Sequence, residues 1–183
     1  ADITATNPYY NAMLPSENRS KILSVTNNTN LNWYIIDNLR WTASMSLNTT
    51  NTDNMNFTDP AHTKYASSDY TKQGEYSSSK SRSWRYTMNT GIAYALSLND
   101  HNLTFNGRAE IRSTSSNTES FVATGFPKGV GAIPSFAYSF KENSTPGYSE
   151  SISRGVSFLG TFNYNYKYRY LFDASLSSDG STS

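Results

Sequence analysis

From Trp84 to Leu98 the side chains alternate with a period of two, and that rhythm commits the segment to an extended strand. The even positions read Trp84, Tyr86, Met88, Thr90, Ile92, Tyr94, Leu96 and Leu98, while Arg85, Thr87, Asn89, Gly91, Ala93, Ala95 and Ser97 lie between them. Successive side chains on a strand point to opposite faces, so one face is almost wholly apolar and the other small or polar. A helix would scatter the same residues around its circumference.

The pattern recurs across short turns. Asn99-Asp100-His101-Asn102 suits a hairpin turn, after which Leu103, Phe105, Gly107, Ala109 and Ile111 share one face. Their opposite face carries Thr104, Asn106, Arg108, Glu110 and Arg112. A second hairpin joins Leu31, Trp33 and Ile35 through Asp37-Asn38 to Leu39, Trp41, Ala43, Met45 and Leu47. A third joins Val156, Phe158, Gly160, Phe162, Tyr164 and Tyr166 through a turn near Lys167–Arg169 to Tyr170, Phe172, Ala174 and Leu176. The sequence therefore predicts an all-β antiparallel meander of about six strands, with hairpins at about 23–50, 82–115 and 151–177. The stretch Val25 to Asn30 is polar on both faces and leaves the start of the first strand open. Long polar loops are expected at about 49–82 and 113–152, alternating with the short turns.

Composition narrows the setting. Aromatic residues make up 14% of the chain and charged residues only 16%, against about a quarter in an average soluble domain, with Asn, Ser and Thr filling the gap. A net charge of +1 gives no electrostatic reason to expect nucleic acid as a partner. There is no cysteine, hence no disulfide and no thiolate metal site. No run of about 18 apolar residues exists, which excludes a transmembrane helix. Ala1-Asp2-Ile3-Thr4 does not open a signal peptide, so if the protein is exported its signal is expected upstream or already removed.

A soluble β-sandwich and a membrane β-barrel both have strands with one apolar face. Three features favour the barrel. Short and long connections alternate throughout, as periplasmic turns and external loops do. Bulky aromatics gather at strand ends, where amphipathic rings anchor at a membrane interface: Trp33 and Trp41, Trp84 and Tyr86, Tyr164 with its neighbours. The polar face is built from Asn, Ser, Thr, Gly and isolated Arg or Glu, as in a wet lumen. On this reading Trp33, Trp41, Trp84, Tyr86, Phe158, Phe162 and Tyr164 face membrane lipid, and Arg85, Arg108, Glu110 and Arg112 face the lumen. About eight strands are needed to close a membrane barrel, so the chain reads as a fragment of one. Its open sheet edges are expected to make the isolated piece self-associate. The alternative is a soluble or surface-anchored sandwich that binds glycans.

The last hairpin carries a family resemblance. Asn163-Tyr164-Asn165-Tyr166-Lys167-Tyr168-Arg169-Tyr170-Leu171, followed by Asp173-Ala174-Ser175-Leu176, resembles a hairpin of SusC/RagA-type TonB-dependent transporters from Bacteroidetes. Ser178-Asp179-Gly180-Ser181-Thr182 stands where that family has R-x-D-G-S-S, without its arginine. Asn7-Pro8-Tyr9-Tyr10-Asn11-Ala12 is similar to the family's N-P-x-Y-x-A phrase, and Leu31-Asn32-Trp33 with Ile36-Asp37-Asn38-Leu39 to the strand–turn–strand after it. The resemblance implies a bacterial outer-membrane importer of glycans or peptides, lidded by a SusD-type surface lipoprotein and energised by TonB. It assigns no ligand residues within this chain.

No catalytic constellation is found, and the chain is read as a non-enzyme without cofactor. His62, after Asp59-Pro60, has no partner His or Cys nearby and reads as a loop residue, and the polarity of His101 suits its turn. Asn51, Asp53, Asn54 and Asp59 offer calcium-compatible oxygens without an EF-hand's spacing or closing Glu. Glu110 between Arg108 and Arg112 reads as a salt-bridged wall group rather than an acid with a raised pKa. Flat aromatic rings among neutral hydrogen-bonding groups suit sugars, so Tyr65, Tyr70, Tyr76, Phe126 and Tyr148 are the candidate ligand contacts. Tyrosines in such loops also pack loop on loop.

Overall fold

The computed structural model describes residues 8–182, so the opening Ala1-Asp2-Ile3-Thr4 and Asn7 of the N-P-x-Y-x-A phrase lie outside the described residues. The rest of that phrase forms a short helix, α1 (Pro8–Ala12). Six long strands follow: β1 (Glu17–Ile36), β2 (Leu39–Thr58), β3 (Glu75–Leu98), β4 (His101–Thr124), β6 (Gly147–Tyr166) and β7 (Tyr170–Thr182). A two-residue strand, β5 (Ser139–Phe140), precedes β6 and pairs with the end of β4. All of them belong to one sheet in the order β1-β2-β3-β4-β6-β7, an antiparallel meander. Every strand among the described residues lies in this single sheet.

The strands outrun their alternating stretches. β1 begins at Glu17, β2 continues to Thr58, β4 to Thr124, and β3 and β6 start at Glu75 and Gly147. Much of 49–82 and 113–152 is therefore strand, and the connections without long strands are 59–74 and 125–146. Neutral side-chain pairs hold the polar extensions together. Thr26 accepts from Asn48 Nδ2 at 2.8 Å, and Asn28 accepts from Ser46 Oγ at 2.7 Å. Ser24 and Thr50 meet at 3.2 Å, and Thr118 Oγ1 donates to Ser81 Oγ at 3.1 Å. Cross-strand pairs of this kind replace the apolar alternation that sequence reading relies on.

The short turns fall at Asp37–Asn38, Asn99–Asp100 and Lys167–Arg169. Asn99 takes φ +51°, a left-handed conformation that Asn tolerates. Lys167 and Tyr168 take φ +52° and +53°, supported by Tyr168 N donating to Asn165 Oδ1 at 2.8 Å and Lys167 N to Asp100 O at 2.8 Å. Beyond this turn Tyr166 pairs with Tyr170, Tyr164 with Phe172 and Phe162 with Ala174.

The chain divides into two units. The first comprises the segment up to Leu23 with Asn51–Arg82 and Asn117–Glu150, and it holds a hydrophobic core. Phe57, 1% exposed, packs edge-on to Phe126 at 5.3 Å, with Met55 and Ala123 in the same cluster and Tyr76 and Phe121 against it. The second comprises Ser24–Thr50, Ser83–Ser116 and the segment from Ser151 onward. There most of the large apolar side chains stand exposed on one face of the sheet, with Tyr34, Leu159 and Leu171 exposed at the opposite parity. Trp33 is 57% and Trp84 55% exposed, and Met88, Ile92, Phe105, Ile111, Phe158 and Phe172 are exposed likewise.

Candidate functional site

The first unit carries the connections. Asp59 is buried; its Oδ1 accepts from Ala61 N at 2.7 Å and its N–H donates to Ser16 Oγ at 3.1 Å. His62 caps a single 3₁₀ turn, Nδ1 accepting from Lys64 N at 3.1 Å, and Asp69 caps the next by accepting from Thr71 N at 3.0 Å. α1 docks on the first of these turns, because Asn11 both donates to Thr63 Oγ1 at 2.7 Å and accepts from Thr63 N at 3.1 Å. Asn54 accepts from Ser20 Oγ, so two of the four calcium-compatible residues serve local structure. Among the described residues no group of three or more metal-ligating side chains converges.

The two connections clasp each other. Phe126 N donates to Gln73 O at 2.8 Å, and Gly125 at φ +80° lies so close that a Cβ there would come within 2.6 Å of Thr71 O and of Tyr138 Cβ. Only glycine fits that position. Lys141 pairs with Glu75 at 2.8 Å and Lys72 with Glu142, which raises both lysine pKa values and lowers that of Glu142 through the shared hydrogen bonds. Beside the Lys141–Glu75 pair the Tyr65 phenol is pushed up to about 12, first by burial and then by the charge of Glu75, with Lys141 opposing. Its hydroxyl finds no hydrogen-bond partner among the described residues.

The five candidate ligand aromatics separate accordingly. Phe126 is 4% exposed and Tyr65 is buried; Tyr76 stacks on Phe121 at 5.8 Å, so these three rings pack the unit itself. Tyr70 is 72% exposed and Tyr148 is also open, its hydroxyl donating to Glu150 at 3.2 Å, which raises the phenol pKa. The structure brings Tyr138, 66% exposed, edge-on to Tyr70 at 6.2 Å, with Phe140 and Phe136 exposed on the same connection. Sequence reading missed Tyr138, although Phe136, Tyr138 and Phe140 recur at every second residue there.

In the second unit the two faces differ chemically. On the polar face Arg108 donates to Asn89 at 3.0 Å and to Glu110 at 3.4 Å, and Arg112 donates to Glu110 at 3.5 Å. Arg112 also lies over Gly155, where a Cβ would meet its Nε at 2.7 Å. Glu110 thus joins both flanking arginines, while Arg85 stands exposed on β3. A concavity of about 510 Å³ on this face includes Asn30, Asn32, Arg40, Thr42, Asn89 and Arg108 in its lining. Asn163 Nδ2 donates to Asp173 Oδ1 at 2.7 Å farther along.

The opposite face is apolar and aromatic. Trp41 sits edge-on to Trp33 at 6.3 Å and donates from Nε1 to Thr90 Oγ1 at 2.8 Å. Phe158 shares a hollow with Ile92 and Phe105, and Phe162 meets Phe172 at 6.4 Å. Alternation along β3 places Trp84 and Tyr86 on this face with Met88. His101, expected within a turn, begins β4, stacks on Tyr164 and lies tilted against Tyr166, its Nδ1 2.7 Å from Tyr164 Oη.

These features define an all-β class: a meander of long antiparallel strands, short turns at one end, and one apolar and one hydrophilic face. Three solved structures share the fold. The RagAB peptide transporter superposes with a TM-score of 0.78 at 21% identity, over 95% of this chain and 19% of that one. The "closed-closed" RagAB peptide importer gives 0.79 at 21% identity, over 96% and 19%. The "open-open" state gives 0.75 at 20% identity, over 99% and 20%. The chain thus spans about a fifth of the length of each. No family profile and no curated protein matches the chain.

Proposed function

We propose that the chain forms part of the wall and external loops of a bacterial outer-membrane importer for glycans or peptides. The observation that carries this reading is the second unit's exposed apolar face, backed by a face of Asn, Ser, Thr and Arg. A row of exposed Trp, Met, Ile and Phe is unfavourable in water and suited to lipid. The likeness to RagAB chains supports an importer. On this reading Trp33, Trp41, Trp84, Tyr86, Phe158, Phe162 and Tyr164 meet lipid, and Arg85, Arg108, Glu110 and Arg112 line the water-filled side. A SusD-type lipoprotein as lid and TonB as energy source belong to the same proposal. The edges at β1 and β7 would pair with neighbouring barrel strands in the whole protein, and with other copies in the isolated chain.

Brominated lipids test the wall. In the full-length protein reconstituted in bilayers, fluorescence of Trp33 and Trp84 should be strongly quenched by lipids brominated on the acyl chain. Emission that only a water-soluble quencher reduces would refute a membrane wall.

Ligand contact is proposed for Tyr70 and Tyr148, with Tyr138 joining Tyr70; Tyr65, Tyr76 and Phe126 would act by shaping the loops that hold them. Substituting Tyr70 and Tyr138 together by Ala should weaken ligand or lid binding about tenfold, as loss of two stacking rings does. Uptake and lid affinity equal to wild type would remove these rings from the site.

A further inference from the structure

A groove of about 350 Å³ in the first unit is lined by Arg19 and Lys21 of β1, Asp53, Asn54 and Met55 of β2, and Tyr76, Ser78 and Lys80 of β3. Three of these side chains are cationic and one is anionic. Among the described residues Lys21 and Lys80 form no ion pair, and Arg19 has only a 3.8 Å contact with Glu17. Glu119 of β4 shares the face by alternation but does not line the groove.

Strand parity gives these cations a direction. Arg19, Lys21 and Leu23 occupy one set of alternate positions on β1, while Ser20 on the other set bonds to Asn54. On β3 the alternate series Ser78, Lys80, Arg82, Trp84, Tyr86 is continuous, whereas Ser79, Ser81 and Ser83 fill the opposite series. The basic residues therefore share their strand's face with the apolar row, and the other face is neutral there. A lumen-directed cluster would have the reverse parity. Met55 and Tyr76 add an apolar wall, so the groove joins positive charge to hydrocarbon contact.

We infer that this groove binds the phosphate-bearing headgroup of an outer-leaflet glycolipid. The inference rests on the membrane-wall reading above. Basic side chains at a lipid surface attract anionic headgroups, and the long connections mark this end of the strands as external. A free phosphate shares the charge chemistry but gains nothing from Met55 or Tyr76.

Native mass spectrometry of the full-length protein in detergent, with diphosphoryl lipid A and its dephosphorylated form as probes, tests the site. Wild type should retain the phosphorylated lipid, and Lys21→Gln/Lys80→Gln should hold it roughly 10- to 30-fold less, as loss of two basic contacts predicts. Lys21→Arg/Lys80→Arg should retain it, and unchanged heat-modifiable migration would show that the Gln variant is folded. Equal adducts in wild type and the Gln variant, or with the dephosphorylated lipid, would overturn the site. Full displacement by millimolar inorganic phosphate would make it a free-phosphate site and overturn the lipid assignment. A protein that partitions as water-soluble would sink both readings, whereas a membrane-embedded one with unchanged adducts sinks this one alone.

Discussion

Replacing Phe57 by Ala is expected to destabilise the loop-bearing unit by about 3–5 kcal/mol, the usual cost of removing a fully buried phenyl ring. Phe57 is the largest side chain with essentially no exposure, and its ring contacts Phe126 edge-on. Phe126 in turn holds the second connection to the first, since its N–H donates to Gln73 O. The cavity would thus loosen both connections together. Hydrogen exchange at the amide of Phe126, bonded across this clasp, should quicken in concert with that of Tyr138, bonded to Thr124 O and Gly125 O, and of Lys141, bonded to Val122 O. Protection at wild-type levels would show that the ion pairs Lys141–Glu75 and Lys72–Glu142 hold the clasp without the core.

An arginine in place of Met88 or Ile111 should oppose membrane assembly by about 2–4 kcal/mol each if the site lies near the bilayer midplane. Both residues line an apolar hollow of about 350 Å³ with Leu31, Trp41 and Met45. The double variant should leave little folded protein in the outer membrane. Thr87→Arg, one residue from Met88 on the opposite face, should assemble nearly as wild type. Refolding into lipid vesicles, followed by gel migration without boiling, measures both. Equal yields for the two faces would contradict a lipid-facing surface.

How much of this was legible in the sequence depended on what kind of interaction held each segment. Where Trp84 to Leu98 alternates, the strand, its apolar face and the following turn could be read directly, and Asn89 and Arg108 do share a face. β1 was obscure before Leu31 because no apolar alternation exists there. Its pairing depends on neutral contacts such as Asn28–Ser46, which involve residues equally at home in loops. The loop clasp was obscure for another reason: Phe57, Tyr76 and Phe126 are brought together from three separate segments. A ring surrounded by Ser, Thr and Gly looks available for a ligand until its distant neighbours are known. Tyr70 and Tyr138 escaped as a pair for the same reason.

The neutral ladder between β1 and β2 also bears on how a solute would travel. In Thr26–Asn48, Asn28–Ser46 and Ser24–Thr50, each group already has a partner a single strand away. A sugar hydroxyl or peptide amide passing over them exchanges one neutral hydrogen bond for another of similar worth, so it meets shallow wells of nearly equal depth. On the proposed importer reading, a surface of this sort would be slippery, keeping a polar cargo wet and moving and leaving grip to the few arginines and exposed rings.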